Sequence, residues 1–185
     1  RDAEVQRLQD LAVELRANSD VVLILGSPGL ESGARALVQT LGPARIESGP
    51  ILEFIHRDWC SARRLPELLR WLGDRRISLA VLAGDRPEPL TAACLRVLHQ
   101  HVQHRHGPAE AARRIVVAGS GGDGFLCRGA RERGLRVLDY PLPVPEPYSA
   151  MTPAGLLPAA LAGVEPSRLV EGARWMGRSL EGQTP

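Results

Sequence analysis

The sequence predicts an α/β protein: a three-layer α/β/α sandwich built on a five-stranded parallel sheet. Three observations predict it. Val21 to Leu25, Ile77 to Leu82 and Ile115 to Ala118 are short, unbroken apolar runs, the pattern of strands buried on both faces. Each is followed by a turn containing Gly and then by residues at helical spacing. That alternation implies right-handed βαβ units and a sheet covered on both sides.

Taken in order, Glu4 to Leu15 places Val5, Leu8, Leu11, Ala12 and Leu15 on one helical face, and Asn18-Ser19-Asp20 ends that helix. The first strand, Val21 to Leu25, runs into a tight turn, Gly26-Ser27-Pro28-Gly29. A helix from Glu31 to Leu41 follows, stopped by Gly42-Pro43. A short strand is expected at Arg45 to Glu47, while Ile51 to Trp59 reads equally as loop or half a helix. Leu65 to Leu72 is a helix closed by Gly73, and Ile77 to Leu82 is the next strand. Pro89 to His104 is a long helix with proline in its first turn, where the missing N–H costs little. After the strand at Ile115 come Gly119-Ser120-Gly121-Gly122-Asp123-Gly124, a short helix from Cys127 to Arg133, and a last strand from Val137 to Tyr140. A proline-studded loop then leads into two closing helical patterns, the second from Ser167 to Met176. One domain over residues 1–178 is expected: a leading helix (1–17), alternating β/α units (20–140), a loop (141–150) and closing helices (151–178). Residues 179–185 read as a loose tail.

Composition excludes several classes. The chain has 185 residues, 23 basic and 21 acidic, for a net charge of +2. That balance argues for no nucleic-acid partner and no membrane surface. Every basic residue is arginine, so neither a Schiff-base lysine nor a P-loop lysine is available. Three cysteines, Cys60, Cys94 and Cys127, are few and far apart and read as reduced thiols in a cytoplasmic setting. No apolar run approaches the roughly 18 residues of a spanning helix.

In an open parallel sheet, ligands bind outside the carboxyl ends of the strands. Three loops sit there. After the first strand, Gly26, Ser27, Gly29 and Ser32 precede a helix N-terminus, where backbone N–H groups and hydroxyls suit an anion. The competing account is a plain turn with Ser32 as helix cap. Pro28 removes one donor, and Glu31 brings negative charge. After Leu82, Ala83-Gly84-Asp85-Arg86 holds a possible contact in Arg86, or a simple cap in Asp85. Ser120 lies in the Gly-rich loop, which lacks dinucleotide-fingerprint spacing and reads as a phosphate nest or a mobile turn. His99, His101, His104 and His106 gather at one helix end without metal-ligand companions, so a solvated helix end is expected and no metal. His56, Asp58 and Cys60 form no recognisable nucleophile motif.

The stretch from Tyr148 to Met176 carries the most specific signal. Tyr148-Ser149 is followed by Thr152-Pro-Ala-Gly155-Leu-Leu-Pro158-Ala-Ala160-Leu-Ala-Gly163 and then Leu169-Val-Glu-Gly172-Ala173. This resembles the end of the first sugar-isomerase (SIS) domain of the glucose-6-phosphate isomerase family. There, Gly-Gly-Arg-[Phe/Tyr]-Ser leads into [Ser/Thr]-x-x-Gly-Leu-[Leu/Val]-Pro-x-Ala-Leu-x-Gly and a Leu-[Leu/Val]-x-Gly-Ala helix. The resemblance implies a flavodoxin-like SIS fold, a hexose 6-phosphate ligand, no cofactor, and a second SIS domain or a homodimeric partner. Tyr148 and Ser149 join the candidate substrate-binding residues on that ground.

The chain also departs from the family pattern. Alignment on Tyr148-Ser149 puts Pro147 where the family has an arginine that stabilises the ene-diolate, and Pro145 and Glu146 where it has glycines. Ala83 and Gly84 replace the Ser-Lys of the phosphate loop. The family's general base lies in its second half. The expectation is therefore a phosphosugar-binding SIS domain resembling the amino-terminal half of a glycolytic and gluconeogenic isomerase. It would have no catalytic residue of its own and would need a second SIS domain for turnover. The alternative is a regulatory or structural SIS-like domain that packs against a partner.

Overall fold

A computed structural model describes residues 2–43, 49–55, 59, 61, 63–84, 89–120, 124–140 and 144–181. Five strands form one parallel sheet: β1 (Val21–Gly26), β2 (Ile51–Ile55), β3 (Ile77–Ala83), β4 (Ile115–Ser120) and β5 (Arg136–Tyr140). Their spatial order is β2-β1-β3-β4-β5. The helices are α1 (Asp2–Asn18), α2 (Pro28–Leu41), α3 (Arg64–Leu72), α4 (Pro89–His106), α5 (Pro108–Arg114), α6 (Phe125–Glu132), α7 (Pro153–Leu161) and α8 (Pro166–Glu181), with a 3-10 turn at Glu146–Met151.

The two-residue period of a strand divides the apolar runs between the faces. Val22, Ile24, Ala80, Leu82, Val116 and Ala118 meet α1, α2 and α7 on one side. Val21, Leu23, Leu25, Leu79, Val81 and Val117 meet α3, α4 and α6 on the other. Because β1, β3 and β4 are flanked on both edges and covered on both faces, their sequences show no polar alternation.

The expected architecture holds, with three corrections. The second strand is Ile51–Ile55, in the segment left open between loop and half-helix. The segment expected as that strand, Arg45 to Glu47, lies outside the described residues. β2 pairs only with β1, and Ile51 is 46% exposed, so as an edge strand it has neither a continuous buried run nor a clean alternation. A separate helix, α5, starts at Pro108 after Gly107, whose φ of 77° breaks it from α4. Of the tail expected to be loose, residues 179–181 continue α8, and residues 182–185 lie outside the described residues.

α7 is the covered helix: eight of its nine residues, Ala154 to Leu161, are buried. Thr152 caps its N-terminus, with the hydroxyl accepting from Ala154 N–H. Gly163, at φ 93°, ends it in a left-handed turn. The Val164 N–H returns to Ala159 O and the Gly163 N–H to Ala160 O, the paired bonds of a Schellman motif. The Arg16 guanidinium donates to the Leu161 carbonyl and so satisfies one of the last acceptors of α7. No helix among the described residues is long and apolar enough to cross a membrane.

Candidate functional site

The strand order fixes where a site belongs. β1 passes through α2 to β2 on one side, while β3 passes through α4 toward β4 on the other. The connections diverge between β1 and β3, which opens a crevice at their carboxyl ends. Gly26-Ser27 ends β1 there, and Gly84 follows β3. Two of the three loops read from the sequence are thereby brought together.

The crevice is not empty of protein. The 3-10 turn that follows residue 145 carries Glu146 into it. The Ser27 hydroxyl donates to Glu146 Oε2 at 2.6 Å. A Cβ placed on Gly84 would lie 2.0 Å from Glu146 Oε1, and one on Gly29 would lie 2.8 Å from Oε2. The carboxylate thus sits among Ser27, Gly29 and Gly84, three of the candidate substrate-binding positions. Ser27 is 4% exposed and also caps α2, accepting from Leu30 N–H at 3.4 Å. A second carboxylate lies beside it: Glu31, 4% exposed, accepts from Gly26 N–H at 3.3 Å and faces Arg35 at 3.7 Å. The mouth of this crevice therefore carries two acidic side chains.

The other candidates take up different places. Ser32 is exposed, and its hydroxyl donates to Pro28 O at 2.6 Å; the cap of α2 is Ser27, not Ser32. Ser149 is 1% exposed and donates to Glu146 O at 2.6 Å, so its hydroxyl holds the 3-10 turn closed. Tyr148 is 77% exposed. Pro147, at the family's arginine position, is exposed. Ser120 ends β4 in register with Tyr140. Asp85 and Arg86 lie outside the described residues, as do residues 121–123 of the Gly-rich loop. Gly119 belongs to β4 rather than to a loop. A Cβ on it would meet Cys127 Sγ at 2.2 Å and Ala83 Cβ at 3.0 Å, so the missing side chain lets α6 approach the sheet.

Among the described histidines only His104 is fully at the surface; His99, His101 and His106 are half-buried. Burial, with Arg105 and His104 nearby, pushes the His101 pKa below its usual value. Burial acts in the same direction at His99 and His106. The expected solvated helix end is therefore corrected for these three, which are half-buried rather than fully solvated. No cluster of metal-ligating side chains occurs among the described residues. Cys127 is a free, buried thiol whose pKa burial raises. Cys94 is disulfide-bonded, which corrects the expectation of three reduced thiols.

Sequence reasoning placed Glu146 at a family glycine but did not foresee where its carboxylate goes. The contact spans 119 residues, and no local pattern announces it.

No family model matches the chain. Curated relatives do. The chain is 36% identical over 179 residues to a glucose-6-phosphate isomerase of Symbiobacterium thermophilum, covering 92% of this chain and 39% of that protein. It is 33% identical over 181 residues to the glucose-6-phosphate isomerase of Heliobacterium modesticaldum, covering 93% and 40%. Among solved structures, a hypothetical protein from Thermus thermophilus superposes with a TM-score of 0.82 at 24% identity over 95% of this chain and 40% of that one. A glucose-6-phosphate isomerase from Chlamydia trachomatis gives 0.72 at 20% identity over 90% and 30%. These two likenesses bear on the fold. The chain spans about two fifths of the length of the curated relatives it matches.

Proposed function

We infer that this chain, which belongs to the glucose-6-phosphate isomerase family as a partial domain, forms one wall of a sugar-phosphate cleft and does not isomerise a sugar by itself. The ligand class, a hexose 6-phosphate, comes from the relatives' name and the resemblance of Tyr148 to Met176. Gly26, Ser27, Gly29 and Gly84 at the switch point are the groups proposed to face it, with Ser32, Asp85, Arg86, Ser120, Tyr148 and Ser149 as the remaining candidates. A single SIS-type domain is proposed as the unit. A cytoplasmic setting is proposed with it, because such a ligand is a charged metabolite.

One observation carries the non-catalytic part. The turn that delivers arginine in the family pattern delivers Glu146 here, with Pro147 next to it and exposed. Isomerisation through an ene-diolate needs positive charge or donors where the oxyanion develops. A carboxylate at that place destabilises the same charge, and proline has neither charge nor N–H.

A partner role has its own observation. In α8 only Pro166 is buried, and Trp175, Met176 and Leu180 are 62%, 50% and 56% exposed. This apolar stripe supports packing against a second SIS-type unit, in the same protein or in a second copy. The experiment is a coupled assay of fructose 6-phosphate turnover by the purified chain, with sedimentation to read self-association. No turnover is expected. Saturable turnover that scales with protein concentration overturns the proposal.

A further inference from the structure

The crevice between β1 and β3 is the one place where two departures from the family pattern touch. Position 146 has gained a carboxylate where the family has glycine, and position 84 has lost a side chain where the family has a residue of the phosphate loop. The two changes fit each other. The space above Gly84 that any Cβ would enter is held by Glu146 Oε1, at 2.0 Å from that Cβ. Glu146 Oε2 accepts a hydrogen bond from the Ser27 hydroxyl at 2.6 Å and lies 2.8 Å from where a Cβ on Gly29 would stand. Glycine at 84 and 29 and a short hydroxyl at 27 together make a seat shaped for a carboxylate.

We propose that Glu146 is a built-in occupant of the ligand cleft: its carboxylate takes the donor and the space that an anionic ligand would use, and Gly84 is its seat. This rests on the sugar-phosphate reading of the cleft and adds how that cleft is held shut. The Ser27 hydroxyl has one proton to give, and Glu146 already receives it. An incoming phosphate must displace the carboxylate or share the space with a like charge. Glu31 accepts from Gly26 N–H and is paired with Arg35 at 3.7 Å, so its charge is offset locally and the like charge that meets an incoming phosphate is that of Glu146. The occupant is tethered through a turn pinned by Ser149 to Glu146 O and by Tyr148 N–H to Pro145 O. It competes at the high effective concentration of an intramolecular group.

The test uses Glu146→Gly, Gly84→Ala and the double variant. Binding of fructose 6-phosphate and of inorganic phosphate is titrated by calorimetry, and thermal melting is followed in parallel. Glu146→Gly is expected to bind fructose 6-phosphate about tenfold more tightly than the parent, since it removes a like charge and frees a donor. Gly84→Ala, whose methyl group pushes the carboxylate off its seat, is expected to lower Tm in the parent and to leave it nearly unchanged in the Glu146→Gly background. Additive Tm shifts would mean that the two positions do not touch, and would overturn the proposal. Coupled Tm shifts with no gain in affinity for Glu146→Gly would overturn the competition, and so the proposal, too. Turnover by the parent chain would instead overturn the non-catalytic reading, a separate outcome read in a separate assay.

Discussion

Gly155 offers the sharpest check of the packing between the site and the core. It lies in the first turn of α7 with ordinary helical backbone, so helix propensity alone favours alanine there by about 1 kcal/mol. Packing opposes this. A Cβ on Gly155 would stand 2.2 Å from Ala150 O and 2.6 Å from Ala150 C and Cα. These are backbone atoms of the 3-10 turn and cannot rotate away as a side chain would. Overpacking costs roughly 1–3 kcal/mol, and three backbone atoms within contact distance point to the upper end. The net is a loss of about 2 kcal/mol, or a fall in Tm of about 4–8 °C for a chain of this size. Gly172→Ala is the control. It is also helical, in α8, but nothing lies within 4 Å of its Cβ. There the propensity gain stands alone, and Tm is expected to rise by about 2–4 °C. Scanning calorimetry on both variants decides it. If Gly155→Ala melts at or above the parent temperature, the turn is not pinned against α7 and the packing argument fails.

Thr152→Ala removes the α7 cap, whose hydroxyl also donates to Ser149 O at 2.7 Å, and is expected to cost about 1 kcal/mol in urea denaturation; an unchanged midpoint would count against the cap. His101 gives a pH dependence. Its folded pKa lies below the unfolded value near 6.5, chiefly through burial, so the unfolded chain binds more protons in the interval between them. Stability is therefore expected to fall as pH drops through about 6.5, more steeply in the parent than in His101→Gln. Equal slopes in Tm measured between pH 8 and pH 5.5 would exclude it. Pro147→Arg alone is expected to leave fructose 6-phosphate turnover by the tested chain at background, because the resemblance places the family's base in the part of the relatives that this chain does not span; measurable turnover in that variant would contradict this.

The sequence made the central sheet legible and its margins less so. β1, β3 and β4 were readable because burial on both faces writes one unbroken apolar run. β2 was not, because an edge strand with Ile51 at 46% exposure and Glu53 in its middle shows neither pattern cleanly. α7 was readable through its motif, and the structure supplies the reason for two of its glycines: contact with Ala150 at Gly155 and positive φ at Gly163. The crevice was half legible. Its location follows from strand order, and the Ser27 and Gly84 loops were both singled out. That Glu146 fills it depends on tertiary approach between residues 27, 84 and 146, which no local rule reports.

The seat of Glu146 also sets an order on mutational history. While the carboxylate is in place, any side chain at position 84 collides with it and must evict it before gaining a contact of its own. Once position 146 is glycine, position 84 is open to serine, lysine or anything else. Routes back toward a phosphate-gripping loop therefore pass through position 146 first. Substitutions tried at 84 in the present background meet a neighbour rather than a ligand. A survey of single changes at position 84 would therefore read out how readily the Glu146 side chain swings aside, a cause that lies sixty-two residues away.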